Sequence, residues 1–220
     1  MTKVGATAML GPHHNEETFA MRFETLRIIR DEHTALSAML QSLLALVRQG
    51  PGDAPERYFD VVRAMLFYID EFPEKQHHPK ESNLLFPRVA RVAPQAMETI
   101  ARLERDHMQG ETAVRDLQHK LLAWELLGES RRKAFVEEAE RYVGFYLEHM
   151  RLEETEILPL ADTLLDEADR RELDASFTSH VDPLVRMHQS RNSMAPAHDP
   201  AFDRLFTRIV MRAPAPIGLG

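Results

Sequence analysis

Apolar residues recur along this chain at three- and four-residue intervals, and between its Gly and Pro breaks almost everything has helical rather than strand period. Phe19, Phe23, Leu26, Ile29, Leu36, Leu40, Leu43 and Val47 trace a first long helix, which the stretch QGPGDAP from Gln49 to Pro55 breaks. Phe59, Val62, Leu66 and Ile69 begin a second. Pro73 and Pro79 are expected to kink it unless local hydrogen bonds rearrange, and Pro87 and Pro94 bracket its end. Ile100, Leu103, Val114, Leu117, Leu121 and Trp124 share one face of a third helix, closed by the turn around Gly128. Phe135, Ala139, Tyr142, Tyr146, Met150, Ile157 and Leu160 trace a fourth. Short connections between long amphipathic helices favour antiparallel neighbours. The pattern therefore predicts an all-α protein: an up-down-up-down four-helix bundle over residues 16–166, preceded by a flexible polar tail over 1–15. A C-terminal helical extension and tail follow over 167–220. The last segment, Ala201 to Met211, sets Phe202, Leu205, Phe206, Ile209 and Val210 on one face. That face is too apolar to be left in water; it packs on the bundle or on a second copy of the chain, and a homodimer through it stays open.

Halfway along each helix the apolar stripe turns ionisable. Its continuation lands on His33 in the first, His77 and Glu81 in the second, His107 in the third, and His149 and Glu153 in the fourth. The second and fourth helices carry related stretches, HHPKESNLLFP from His77 and HMRLEETEILP from His149, each with Glu four places after the first His and Pro at the eleventh. Residues i and i+4 lie one turn apart on one helical face, so each pair aims both side chains inward. A coarser repeat adds IRDEH ending at His33 and LERDH ending at His107, so each half supplies a lone His and then a His-Glu pair, 44 and 42 residues apart. From Gly128, His107 and His149 are about 20 residues away in opposite directions, roughly 30 Å along each helix, which sets them at one level. Four imidazoles and two carboxylates thus meet at one centre with approximate two-fold symmetry. Buried without partners they would cost several kcal/mol, and a bound cation removes that cost. Such ligands suit iron, manganese or zinc, and two carboxylates can bridge two metals.

Composition narrows the chemistry. Of 220 residues 44% are hydrophobic, enough for a sizeable core. Cysteine is absent, which excludes thiolate-ligated zinc, iron–sulfur clusters held by the chain's own thiolates, disulfides and a cysteine nucleophile. A net charge of -8 gives no general attraction to nucleic acid or anionic lipid. No apolar run spans a bilayer and no secretory core opens the chain, so a cytoplasmic protein with neither nucleic-acid nor membrane partner is expected. No Gly-rich phosphate loop, Gly-x-Ser-x-Gly elbow or HEXXH is found.

At these residues the sequence resembles the hemerythrin-like family, also called the HHE cation-binding domain. The resemblance runs from about Phe19 to Leu165 and is carried by DEH at His33, HHPKE at His77 to Glu81, RDH at His107 and HMRLEE at His149 to Glu154. It implies a four-helix bundle holding two iron ions, oxo- or hydroxo-bridged, with manganese or zinc ranked behind iron. By position, His33, His77, His107 and His149 would be terminal ligands, and Glu81 and Glu153 would bridge. The implied partner is a small diatomic ligand, dioxygen or nitric oxide, or peroxide. Oxygen-carrying members have two His ligands four apart in the third helix, where this chain has His107 and Glu111. They have His followed five later by Asp in the fourth, where Glu153 and Glu154 compete. The pattern is closer to the four-His, two-Glu bacterial members, including di-iron proteins of iron–sulfur cluster repair; that group commonly carries a cysteine-containing N-terminal domain.

Simpler readings stand beside this one. A single His on an amphipathic helix is more often surface or satisfied core, and Met39, Met65 and Met150 read as core filling. His78 points roughly 100° from His77 on an ideal helix and is expected as an outer-layer or solvent-facing residue. His13, His14, His119, His180, His188 and His198 are placed outside the centre. Glu111 is a candidate seventh ligand, Gly110 leaves room for a small ligand or for helix packing, and Tyr146 is pocket or core. The Glu-x-x-His strings EKQH and ERDH also fit ferritin-like di-iron proteins, but they fall on sequential helices and the fourth helix lacks one. A small-molecule binding protein, a di-iron enzyme acting on nitric oxide or peroxide or in cluster repair, and an iron-handling or regulatory bundle remain the three functions in view.

Overall fold

A computed structural model describes residues 23–190 and 200–218; the predicted tail over 1–15 and the start of the first helix at Phe19 lie outside them. Among the described residues there is no strand. The first bundle arm is α1 (Glu24–Gln49). The second runs without a break from Pro55 to Val92 as α2 (Pro55–Ile69), α3 (His78–Lys80) and α4 (Phe86–Val92), joined by widened π-helical turns over Asp70–His77 and Glu81–Leu85. The third arm is α5 (Met97–Leu127). The fourth is α6 (Arg132–Leu152), a π-helical turn over Glu153–Ile157, and α7 (Leu158–Leu164). Then come α8 (Glu167–Ser179), α9 (Pro183–Ser190) and α10 (Pro200–Val210).

Glycine ends two arms by the same means. Gly50 at φ 77 and Gly128 at φ 85 return their N–H groups to Leu46 and Trp124, in a left-handed conformation that a Cβ would oppose. The prolines of the second and fourth arms do not end them. Pro79, Pro87 and Pro159 each sit in the first turn of an α segment, and Pro73 lies inside a π-helical one. An α ladder would demand an N–H that proline lacks, and widening the turn redistributes the bonds. The second arm therefore passes Pro87 and stops at Val92, before Ala93 and Pro94.

α1 packs against α2 and α6, and α5 against the same two, which closes the antiparallel bundle. Its interior is two apolar halves with a polar band between them. One half holds Leu36, Met39, Met65, Val114, Trp124, Phe135 and Tyr146; the other holds Leu26, Ile29, Phe86, Leu103, Leu152 and Leu158. His33, Glu81 and His107 lie in sequence where one half gives way to the other, and Glu153 follows just after that change, which falls between Met150 and Leu152. The extension wraps the bundle. α8 lies along α1, with the Thr25 N–H and hydroxyl both donating to Asp174 at 2.7 Å. α10 lies on α2, where Phe206 meets Tyr68 and Phe72 and Arg212 pairs with Asp60 at 2.7 Å. Phe206 and Ile209, two of the apolar positions read from the last segment, are thus buried within the same chain. No helix of the described residues is long and apolar enough to cross a membrane.

Candidate metal centre

Glu81 and Glu153 are each 0% exposed, and no backbone or hydroxyl donor reaches their four carboxylate oxygens. Imidazole nitrogens surround them. On one side the Nε2 atoms of His33 and His77 stand 3.3 Å apart; Glu81 Oε1 is 2.6 Å from His77 Nε2, and Glu153 Oε2 is 3.5 Å from His33 Nε2. On the other, the Nε2 atoms of His107 and His149 stand 3.2 Å apart, with Glu81 Oε2 3.4 Å from His107 Nε2. All six predicted residues are therefore brought together, one or two from each bundle arm.

His78 joins them, against the expectation from the sequence. It is 4% exposed, and its ring stacks on His107 with centroids 4.2 Å apart and planes 11° from parallel. The 100° between neighbouring residues does not send it to solvent, because the second arm touches both α1 and α5. His77 turns to Glu32 and His33 on α1, while His78 turns to His107 on α5 and Tyr146 on α6. Among the described residues two groups could hold a metal ion, His33–His77–Glu81 and His78–Glu81–His107–His149, sharing Glu81. The approximate two-fold symmetry is broken into a two-His half and a three-His half. A signal for His78 was present in Glu74, which stands four residues before it as His77 stands before Glu81.

Four of the five outer nitrogens have a close partner, while His149 Nδ1 stands 3.6 Å from Asp106 Oδ2. His33 Nδ1 meets Glu154 at 2.9 Å, His77 Nδ1 meets Glu32 at 2.6 Å, His78 Nδ1 meets Glu74 at 3.1 Å and His107 Nδ1 meets the Ser82 hydroxyl at 2.8 Å. A carboxylate acceptor at Nδ1 fixes the N–H there, and in the neutral rings of His33 and His78 this leaves the Nε2 lone pair free to ligate. Glu153 and Glu154 thus divide their roles: Glu153 faces the centre and Glu154 orients His33. Glu111 takes no part, being exposed and paired with Arg115 at 2.5 Å. The space beside Gly110 is filled by the Tyr146 hydroxyl, which donates to Glu74, and a Cβ at 110 would overlap it. No small ligand fits there.

Burial pushes His33, His78 and His149 below the usual histidine range, toward the neutral form that ligates metal. At His77 burial is outweighed by the charges of Glu81 and Glu32, so its imidazole is held well above that range. Glu81 is drawn well down despite its burial, chiefly by His77 and then by His107, whereas burial and the Glu81 charge push Glu153 well up. Two adjacent buried carboxylates that cannot share one set of cations are what a bound metal would relieve. The donor set fits one.

The model of the hemerythrin HHE cation-binding domain family matches residues 24–161, more than half of the chain. This protein belongs to that family. A search of the curated proteins found no match to the chain.

Proposed function

We propose that this chain holds two iron ions and binds a small molecule, dioxygen, nitric oxide or peroxide, at them. His33 and His77 would hold one ion and His78, His107 and His149 the other, with Glu81 and Glu153 bridging. Two fully buried carboxylates with no backbone or hydroxyl donor, ringed by imidazole Nε2 atoms, carry this reading. Imidazole and carboxylate together suit iron, and the all-N,O set excludes a thiolate-dependent metal. When bound there, iron supplies a redox-active centre that such molecules can ligate. The chain's own residues keep the centre dry and aim its donors: Glu32, Glu74, Ser82 and Glu154 orient imidazoles, and the two apolar halves exclude bulk water. With three imidazoles on one side and two on the other, the two-His half would leave the more open position for a small molecule.

Anaerobic titration of metal-free protein with ferrous iron tests this. Two ions per chain are expected, with near-ultraviolet absorption developing on oxidation. His78→Ala is expected to lower the stoichiometry as His149→Ala does. A single tightly held zinc, no ferrous uptake, or a silent His78→Ala would sink the assignment. Stoichiometric capture of nitric oxide without turnover favours the binding role; sustained consumption of nitric oxide or peroxide would make the protein an enzyme.

A further inference from the structure

Beside the two-His half lies a cavity whose inner wall includes Glu32, His33, Tyr68, Phe72 and His77 of the bundle. Its outer wall comes from the extension: His180 and Asp182, in the three-residue connection between α8 and α9, complete the lining. The family match ends at residue 161, so this wall is an addition to the matched bundle. Two anchors of different strength hold it. The inner anchor is buried, with the Asp182 N–H donating to Glu32 at 2.8 Å and the Tyr68 hydroxyl donating to Asp182 at 2.7 Å. The outer anchor is one exposed bond, Lys80 Nζ donating to the His180 carbonyl at 2.7 Å, with the same ammonium 5.3 Å from the centre of the Phe177 ring. Exposed bonds open first, because water replaces the lost partner at once.

We infer that the connection between α8 and α9 gates this cavity, with Lys80 as its latch, and controls the access of small molecules to His33 and His77. The geometry suits that task. Glu32 is shared, one oxygen taking the Asp182 N–H and the other His77 Nδ1, so the gate and a proposed ligand rest on the same side chain. The inference rests on the di-iron reading only for what the gate admits; the opening itself is a property of the metal-free chain.

The test uses the full chain with Lys80→Met, which keeps the stem and removes the donor, and Lys80→Arg, which keeps a cationic donor. Amide hydrogen exchange on metal-free protein reads the opening: the Asp182 N–H is expected to exchange about tenfold faster in Lys80→Met, with amides of α5 unchanged and Lys80→Arg near wild type. Stopped-flow mixing of ferrous-loaded protein with nitric oxide reads access, and its association rate is expected to rise severalfold in Lys80→Met alone. Unchanged exchange overturns the gate. Faster exchange with unchanged association shows that the connection opens but is not the route, which also overturns it. Faster exchange in a chain that takes up no iron supports the latch and sinks the metal assignment instead.

Discussion

Gly110 shows how one missing atom shapes the centre. Tyr146 reaches across α5 to donate to Glu74, and Tyr142 donates to the same oxygen at 3.1 Å. Burial raises the Glu74 carboxyl to about 7 even against those two bonds. A Cβ at 110 would overlap the Tyr146 hydroxyl and stand 3.0 Å from Glu74 Oε1. Gly110→Ala is expected to destabilise the protein by about 1–3 kcal/mol through overpacking, although alanine favours the helix by roughly 1 kcal/mol. In a Tyr146→Ala background the overlap is gone and the sign should reverse; urea unfolding of the four variants in a double-mutant cycle measures the coupling. Asp182 supplies a pH signature. Burial, against the Tyr68 hydroxyl, raises its carboxyl to about 6, whereas an unfolded aspartate titrates near ~3.9. The fold prefers the neutral acid, so this contribution is complete below about pH 4 and is lost as pH rises through about 6. Asp182→Asn, neutral throughout, is expected to gain about 2–3 kcal/mol on wild type between about pH 4 and pH 7 and to level off above that, read by urea unfolding of metal-free protein.

The π-helical turns place the donors. Each of the three lies beside a candidate ligand or contains one: Asp70–His77 leads into His78, Glu81–Leu85 begins at one bridging candidate and Glu153–Ile157 begins at the other. A widened turn carries one residue more than the α-helix it replaces, so it resets the direction of whatever adjoins it by roughly 100°. Deleting Lys75, an exposed residue inside the first of them, should let the turn revert to α-helix and swing Phe72 and Glu74 relative to His77 and His78. Helix content by circular dichroism is expected to persist while ferrous uptake falls to one ion per chain or fewer. Lys75→Ala, which keeps the residue count, should stay within about 0.5 kcal/mol of wild type and bind normally.

Across the molecule, the extension covers the bundle on two sides and closes the cavity of the two-His half. Phe206 and Ile209 are buried against the half of the core that holds Tyr68 and Phe72, and the Ile217 N–H donates to the Ser42 hydroxyl at 3.0 Å. Phe206→Ala is expected to cost about 3–5 kcal/mol, a core truncation rather than a surface change. Deletion of residues 200–220 should uncover Tyr68, Phe72 and their neighbours and reduce solubility while all seven His and Glu donors remain. Thermal unfolding and light scattering measure the two effects. Equal stability and solubility of the truncated chain would show that α10 adds nothing to the bundle.

The four-helix order, its antiparallel direction and the convergence of His33, His77, Glu81, His107, His149 and Glu153 were all legible in the sequence. Helical period is a local property, and one long helix can be read without its neighbours. The repeat of His and Glu four apart carried the rest, because two copies at matching heights leave few places for them other than a shared centre. What could not be read there depended on which neighbour a side chain meets. His78 looked peripheral because an ideal helix has one inward direction, whereas an arm packed between α1 and α5 has two. Gly110 looked like room until Tyr146 filled it, and Glu153 and Glu154 could be told apart only by which one lies under the other arms. Asp182 and Lys80 carried no local signal at all: their bonds to Glu32 and to the His180 carbonyl join positions 150 and 100 residues apart, a proximity that only the closed fold creates.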